Sequence, residues 1–324
     1  MSKNKNINTP VETAKVRDFC SKTKMIAIIA AVLVTVTIIG TIIRGLNVAI
    51  EFKGGTLITY QYTGDIDVNE AKNAISSIVT VPINVRSGES LESDAKELII
   101  SFTSEEGLTA DKQTELTDAL QAKFKDNAIE LYDSNDVNPT TGSEFLLKCV
   151  VAVIFAAILI ILYIAVRFRK IGGWTAGLCS VLALLHDLCA AFAANVLFGF
   201  EFNSNTVAVI LTILGYSINN TIVIYDRIRE NKTLMPKASL KEIINAGCSQ
   251  SLTRSIRTSI TTIGTMLIVT IVVFISGYKS LLSFSVPLMF GLISGTYSSL
   301  FVAPGTWAWW MEKRSAKKKA SGKK

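Results

Sequence analysis

Six apolar runs constrain this chain more than any other feature of its 324 residues. They cover residues 25–43, about 149–166, about 174–200, about 206–225, about 258–277 and about 281–309. A helix needs roughly 20 such residues to cross a bilayer, and in lipid each spanning element must satisfy its own backbone polar groups. The expected fold is therefore membrane α-helical with six transmembrane helices. A content of 49% hydrophobic and 18% charged residues agrees, because a soluble chain of this size has too little interior for so much apolar surface. The first run is 19 residues long and no A-x-A-like cleavage site follows it, so it reads as an uncleaved anchor.

Charge is segregated around these runs. Residues 46–144 hold 18 acidic and 7 basic side chains, a net of −11, whereas the rest of the chain nets +18. The basic residues fall in the amino terminus, the loop after the second run, the loop after the fourth and the tail KRSAKKKASGKK. All four lie on one side of a six-span chain, which predicts two cytoplasmic termini and an extracytoplasmic 46–144 segment. The division is 1–24 cytoplasmic, 25–43 first span, 44–145 outside domain, 146–310 spans two to six with a cytoplasmic loop at about 226–257, and 311–324 basic tail. Its partner is an anionic lipid surface rather than nucleic acid. The five cysteines lack ligand-like spacing, and none lies between Arg44 and Glu144, which excludes a disulfide framework in the outside segment.

That segment alternates between two periods. TLITYQY (56–62), INVRS (83–87), AKELIISF (95–102) and AIELYDS (128–134) read as strands, while 68–79 and 111–124 have helical spacing. Strand-helix-strand-strand-helix-strand suggests an α+β ferredoxin-like unit. It is either a gripping surface or a spacer.

Ionisable residues at membrane depth are costly and usually face a bundle interior. Asp187 lies about 20 Å past Trp174 at the helical rise, near the middle of the third run. Its carboxyl is either a proton-exchanging group or a structural one bonded to a neighbouring helix. His186, the single histidine, points about 100° away and is expected to be structural. Asp226, Arg227 and Arg229 form a charge cluster where the fourth run ends, read as a helix-end anchor or, for Asp226, a partner for an Arg of the next helix. Before the fifth run, Arg254 and Thr258 share one helix face, as do Ser251 and Ser255, and Thr261 and Thr262 extend the polar stripe. Gly173–Gly177 and Gly291–Gly295 permit close helix approach. No phosphate loop, H-E-x-x-H or usable Ser-His-Asp set is present, so no enzyme is expected.

GYSINNTIVIYDRIREN (215–231) resembles the signature of the SecF family of bacterial protein-export membrane proteins, SecD/SecF, of the resistance-nodulation-division type. IEFKGG (50–55), YIAVRF (163–168), LLHD (184–187), SLTRSIRTSITT (251–262) and GTYSSLFVAP (295–304) resemble further family motifs in the same order. The resemblance implies an auxiliary subunit of the Sec translocase in the bacterial inner membrane. It would pair with SecD, serve the Sec channel SecYEG and an unfolded secretory polypeptide, and draw on a proton or sodium gradient with no other cofactor. The family commonly has Asp where this chain has Asn220, and that Asp is thought to act in proton coupling with the residue matching Arg254. Asn220 cannot titrate. The ion-coupling candidates are therefore Asp187, Asn219, Asn220, Arg254 and Thr258, with sodium ligated by neutral oxygens as one option. A non-transporting scaffold and half of a small-molecule or lipid exporter are the alternatives.

Overall fold

A computed structural model describes residues 16–89, 95–103 and 107–320; the lysines at 3, 5 and 15 and the last four residues lie outside it. Helix α1 (Thr23–Arg44) leads to a one-turn helix α2 (Ile50–Lys53), then β1 (Gly55–Tyr62), α3 (Val68–Ser76), β2 (Ile83–Glu89), β3 (Lys96–Phe102), α4 (Ala110–Lys123) and β4 (Glu130–Val137). Four long helices follow: α5 (Pro139–Arg167), α6 (Gly173–Phe198), α7 (Ser204–Leu234) and α8 (Leu240–Ile275). Helix α9 (Lys279–Tyr297) continues through a π-helical segment, Ser298–Val302, into α10 (Ala303–Ala320). Six of the described helical stretches are long and apolar enough to cross a membrane, the last being Leu281–Lys317.

The inserted α/β unit follows its sequence periods. Its four strands pair antiparallel in the order β2-β3-β1-β4. Alternate residues Ile58, Tyr60 and Tyr62 of β1 and Leu98, Ile100 and Phe102 of β3 point to one face. There they pack under Ala71 and Ile75 of α3 and Leu116 and Leu120 of α4. Each fully buried side chain of this size stabilises the fold by roughly 1.5–3 kcal/mol relative to exposure, so the unit has a core of its own. Asp67 caps α3 by accepting from the Asn69 amide.

Caps mark the long helices too. Pro139 opens α5 behind the Asn138 cap, and capping boxes start α7 (Asn203, Thr206) and α8 (Ser239, Glu242). Helix α6 runs through the middle of the bundle, against α1, α5, α7, α9 and α10. Its inward positions are mostly Ala, Gly and Ser, which lets backbones approach closely. A Cβ on Gly173 would meet the Ala165 carbonyl oxygen at 2.4 Å, and one on Gly291 would meet Ile213 at 2.1 Å. Both expected small-residue contacts are therefore real packing sites.

The inserted unit is tied to one end of the bundle. The loop between α6 and α7 bridges the strand-like segment before α2 through Val48 and Phe202. Glu201, in that loop, is buried and accepts from Asn84 and, at 2.7 Å, from the Arg86 guanidinium of β2. Glu51 of α2 accepts from both the amide and the hydroxyl of Ser204 at the start of α7. At the other end, Asn245 of α8 holds the segment before α1: its side-chain oxygen accepts from the amides of Phe19 and Cys20 at 2.9 and 3.2 Å.

Candidate functional site

Small residues at the centre of the bundle leave room for one carboxylate. Asp187 of α6 is fully buried. Its Oδ2 accepts from the hydroxyls of Ser217 (α7) at 2.6 Å and Ser298 at 2.7 Å, and its Oδ1 accepts from Ser294 (α9) at 2.7 Å. Ser294 and Ser298 are four residues apart and so share a helix face. Gly295 between them lets the last span approach, because a Cβ there would already touch Ser217 at 3.3 Å and Asp187 at 3.6 Å. The π-helical segment begins at Ser298; such widened turns recur at functional positions.

His186 lies closer to Asp187 than the helical angle led us to expect. Its Nδ1 lies 3.1 Å from the Ser294 hydroxyl and 3.5 Å from Asp187 Oδ1. The 100° helical step separates the two Cβ directions, but both side chains are long enough to converge on Ser294. The Ser294 hydroxyl has one proton. While it donates that proton to Asp187, its contact with His186 requires the ring to donate from Nδ1. Nε2 of His186 is buried without a hydrogen-bond partner among the described residues. Within the described residues His186 is the one basic side chain at ion-pair distance from Asp187.

The other coupling candidates divide. Asn220 is buried three positions beyond Ser217 on α7, and its Nδ2 has no partner among the described residues. Asn219 is exposed on α7, and Arg254 and Thr258 are exposed on α8. These three do not reach the Asp187 cluster. They lie with Thr212, Gly215, Thr261 and Thr265 on outward positions of two neighbouring helices. The threonine hydroxyls there bond back to carbonyls of their own helix. Arg254 makes no hydrogen bond or ion pair among the described residues. The inward stripe of α8 is instead Ser251, Ser255 and Ser259, whose last hydroxyl accepts from Tyr216 at 2.9 Å and Thr296 at 2.8 Å.

The charge cluster at the end of α7 has a different role. Asp226 is bridged by Arg229 of its own helix at 2.6 Å and by Arg167 of α5 at 3.2 Å, rather than by an Arg of α8. Arg227 pairs with Glu230 and donates to Gln250 of α8 at 2.8 Å. These bonds fasten the last turns of α7 to the end of α5 and to α8. Among the described residues no cluster of three metal-ligating side chains occurs.

Sequence reasoning named Asp187 but missed its three serines. The signal was present in Ser294 and Ser298, small polar residues at helical spacing beside the Gly291–Gly295 pair.

Residues 116–313 match the family described as "Protein export membrane protein SecD/SecF, C-terminal". The chain is 32% identical over 295 residues to the protein translocase subunit SecF of Calditerrivibrio nitroreducens, covering 89% of this chain and 92% of that one. It is 34% identical over 295 residues to the SecF subunit of Alicyclobacillus acidocaldarius, with the same coverage. Among solved structures it resembles SecDF of Thermus thermophilus, a translocon-associated membrane protein, with a TM-score of 0.76 and 28% identity. That alignment covers 94% of this chain and 40% of the longer SecDF chain. The signature read at 215–231, the six spans and these matches agree: the chain belongs to the SecF family of protein-export membrane proteins.

Proposed function

We propose that this chain is the SecF half of a pair with SecD that uses a transmembrane ion gradient to promote protein export through the Sec channel, SecYEG. The supporting observation is the Asp187 cluster, a carboxylate enclosed in the bundle core and held by hydroxyls from two other spans. Those hydroxyls allow the proton to be exchanged without stranding a polar group. When Asp187 carries a proton on Oδ1 it can donate to Ser294, whose own proton turns to His186 Nδ1 when the ring gives up its Nδ1 proton and holds one on Nε2 instead. The chain of hydrogen bonds between Asp187 and Nδ1 then reverses direction, and Nε2 has no partner among the described residues in either tautomer. A proton is therefore favoured over sodium, which would require the hydroxyl oxygens to turn inward together.

The exposed face carrying Asn219, Arg254 and Thr258 supports a SecD-like partner. An arginine beside a transmembrane span without a partner among the described residues calls for acidic or carbonyl groups from another chain. The strand order and pairings of the inserted unit support a ferredoxin-like domain. With the termini in the cytoplasm of the inner-membrane-bound protein, it stands on the far side, where an unfolded polypeptide emerges.

Transport of a secretory precursor in vesicles containing the chain, SecD and SecYEG tests this reading. An imposed proton gradient is expected to accelerate transport in wild type and not in Asp187→Asn, and a sodium gradient alone is expected to have no effect. Equal acceleration in both proteins refutes the role of Asp187. A gradient that does nothing in either favours a scaffold, consistent with Asn220 in place of a titratable residue.

A further inference from the structure

Away from Asp187, at the bundle end opposite the inserted unit, a groove of about 410 Å³ opens between the end of α5, the turn into α6 and the end of α7. Arg167, Arg169, Lys170 and Arg229 line it, with Glu230 and Thr233. Its electrostatics are lopsided. Asp226 is one carboxylate shared by Arg167 and Arg229, and Glu230 is engaged by Arg227. Arg169 and the ammonium of Lys170 have no acidic partner among the described residues. A further ammonium, Lys232, is drawn in at 2.8 Å from the Lys170 carbonyl.

The guanidinium groups are also held in place. Those of Arg167 and Arg229 lie 5.8 and 5.9 Å from the ring of Phe168, which is fully buried, and are bridged by the same Asp226 oxygen. Two planar forks fixed by a ring and a carboxylate lose little freedom when they engage an anion. The rest of the lining is apolar. Val166 and Leu234 are 73% and 60% exposed, and Tyr163, one turn before Arg167, is half exposed. These continue into the lipid-facing side of α5. A soluble anion would gain nothing from that apolar border, whereas a phospholipid would set its phosphate among the cations and its acyl chains along α5.

We propose that this groove binds the headgroup of an anionic phospholipid at the membrane surface. Basic pockets between spans are suited to such headgroups, since each nearby cation adds to the attraction for an anionic lipid. The site is independent of the Asp187 cluster and of the gradient reading.

The test is native mass spectrometry of the full chain released from detergent after exchange with phosphatidylglycerol or phosphatidylcholine. Wild type is expected to retain phosphatidylglycerol over phosphatidylcholine by about tenfold or more. The Arg169→Gln/Lys170→Gln double variant is expected to lose that preference, and Arg314→Gln/Lys317→Gln in the basic tail to keep it. Millimolar inorganic phosphate is expected not to displace the lipid. Equal retention of the two lipids by wild type would overturn the proposal without reference to any variant. So would loss of preference in the tail variant alone, or displacement by inorganic phosphate, which would make the groove a soluble-phosphate site.

Discussion

Two polar regions, one inside the helix bundle and one on the outer side of α7 and α8, are built in opposite ways. Around Asp187, polar groups from α6, α7 and the last span converge, and both carboxylate oxygens are bonded inside the chain. On the outward side of α7 and α8, Asn219, Arg254 and Thr258 face away from the bundle, and Arg254 has no partner among the described residues. Lipid penalises an unpaired polar group heavily. The first region therefore completes itself, while the second leaves an arginine without a partner among the described residues. On the function proposed above, proton exchange belongs to the first and assembly to the second.

Removing the acceptor from the first region should cost most. Asp187→Leu removes the carboxylate to which three hydroxyls donate, each bond worth about 1–3 kcal/mol when lost, so a sharp fall in thermal stability in detergent is expected. Asp187→Asn retains an acceptor and should unfold much closer to wild type. If the two variants unfolded alike, the cluster would not be the cohesive element described here. Next comes Gly291→Val, which forces side-chain atoms into Ile213 of α7; overpacking of this kind costs about 1–3 kcal/mol. A similar loss, about 1–3 kcal/mol, is expected from Glu201→Ala, which strips the Arg86 and Asn84 side chains of their acceptor. Here faster hydrogen exchange in β2, with α6 unchanged, would show the inserted unit loosening from the bundle.

The second region should behave otherwise. Arg254→Ala with Thr258→Ala is expected to change the stability of the isolated chain by less than about 0.5 kcal/mol, yet to reduce the amount of SecD that co-purifies. A large loss of stability in the chain alone would mean that α8 uses this face internally. The smallest effect concerns pH. Hydrogen bonds from the Ser21 side chain, then its backbone amide, and from Asn245 hold the Asp18 carboxyl below the usual carboxylate range. Its contribution is present above the ordinary aspartate value and lost as pH falls through the lowered one. Protease cleavage ahead of α1 should rise over that acidic interval and not between pH 6 and 8.

Much of the architecture was legible because burial imposes a period. The strand read at 56–62 spans Gly55–Tyr62, and the helix read at 111–124 spans Ala110–Lys123. The long helices were located correctly but underestimated: α8 starts at Leu240, well before its apolar run, because its first turns are amphipathic and pack on the segment before α1. The site was half legible. A lone acid in an apolar run identified Asp187, but Ser217 and the Ser294–Ser298 pair lie on two distant segments, and no sequence pattern ties either to Asp187. The approach of His186 to Asp187 was not legible because helical angle describes where a side chain begins and not how far it reaches. The outward position of Arg254 and Thr258 could not be told from spacing alone, since a stripe shared by two residues does not say which way it faces.

The most direct measurement is infrared difference spectroscopy of the purified chain across a pH step, in sodium-free medium and again with sodium. The expected result is a carboxylic-acid band that appears as protons bind, is absent in Asp187→Asn, and is unaffected by sodium. A spectrum with no such band, or one that Asp187→Asn leaves unchanged, would contradict the assignment of proton exchange to the Asp187 cluster.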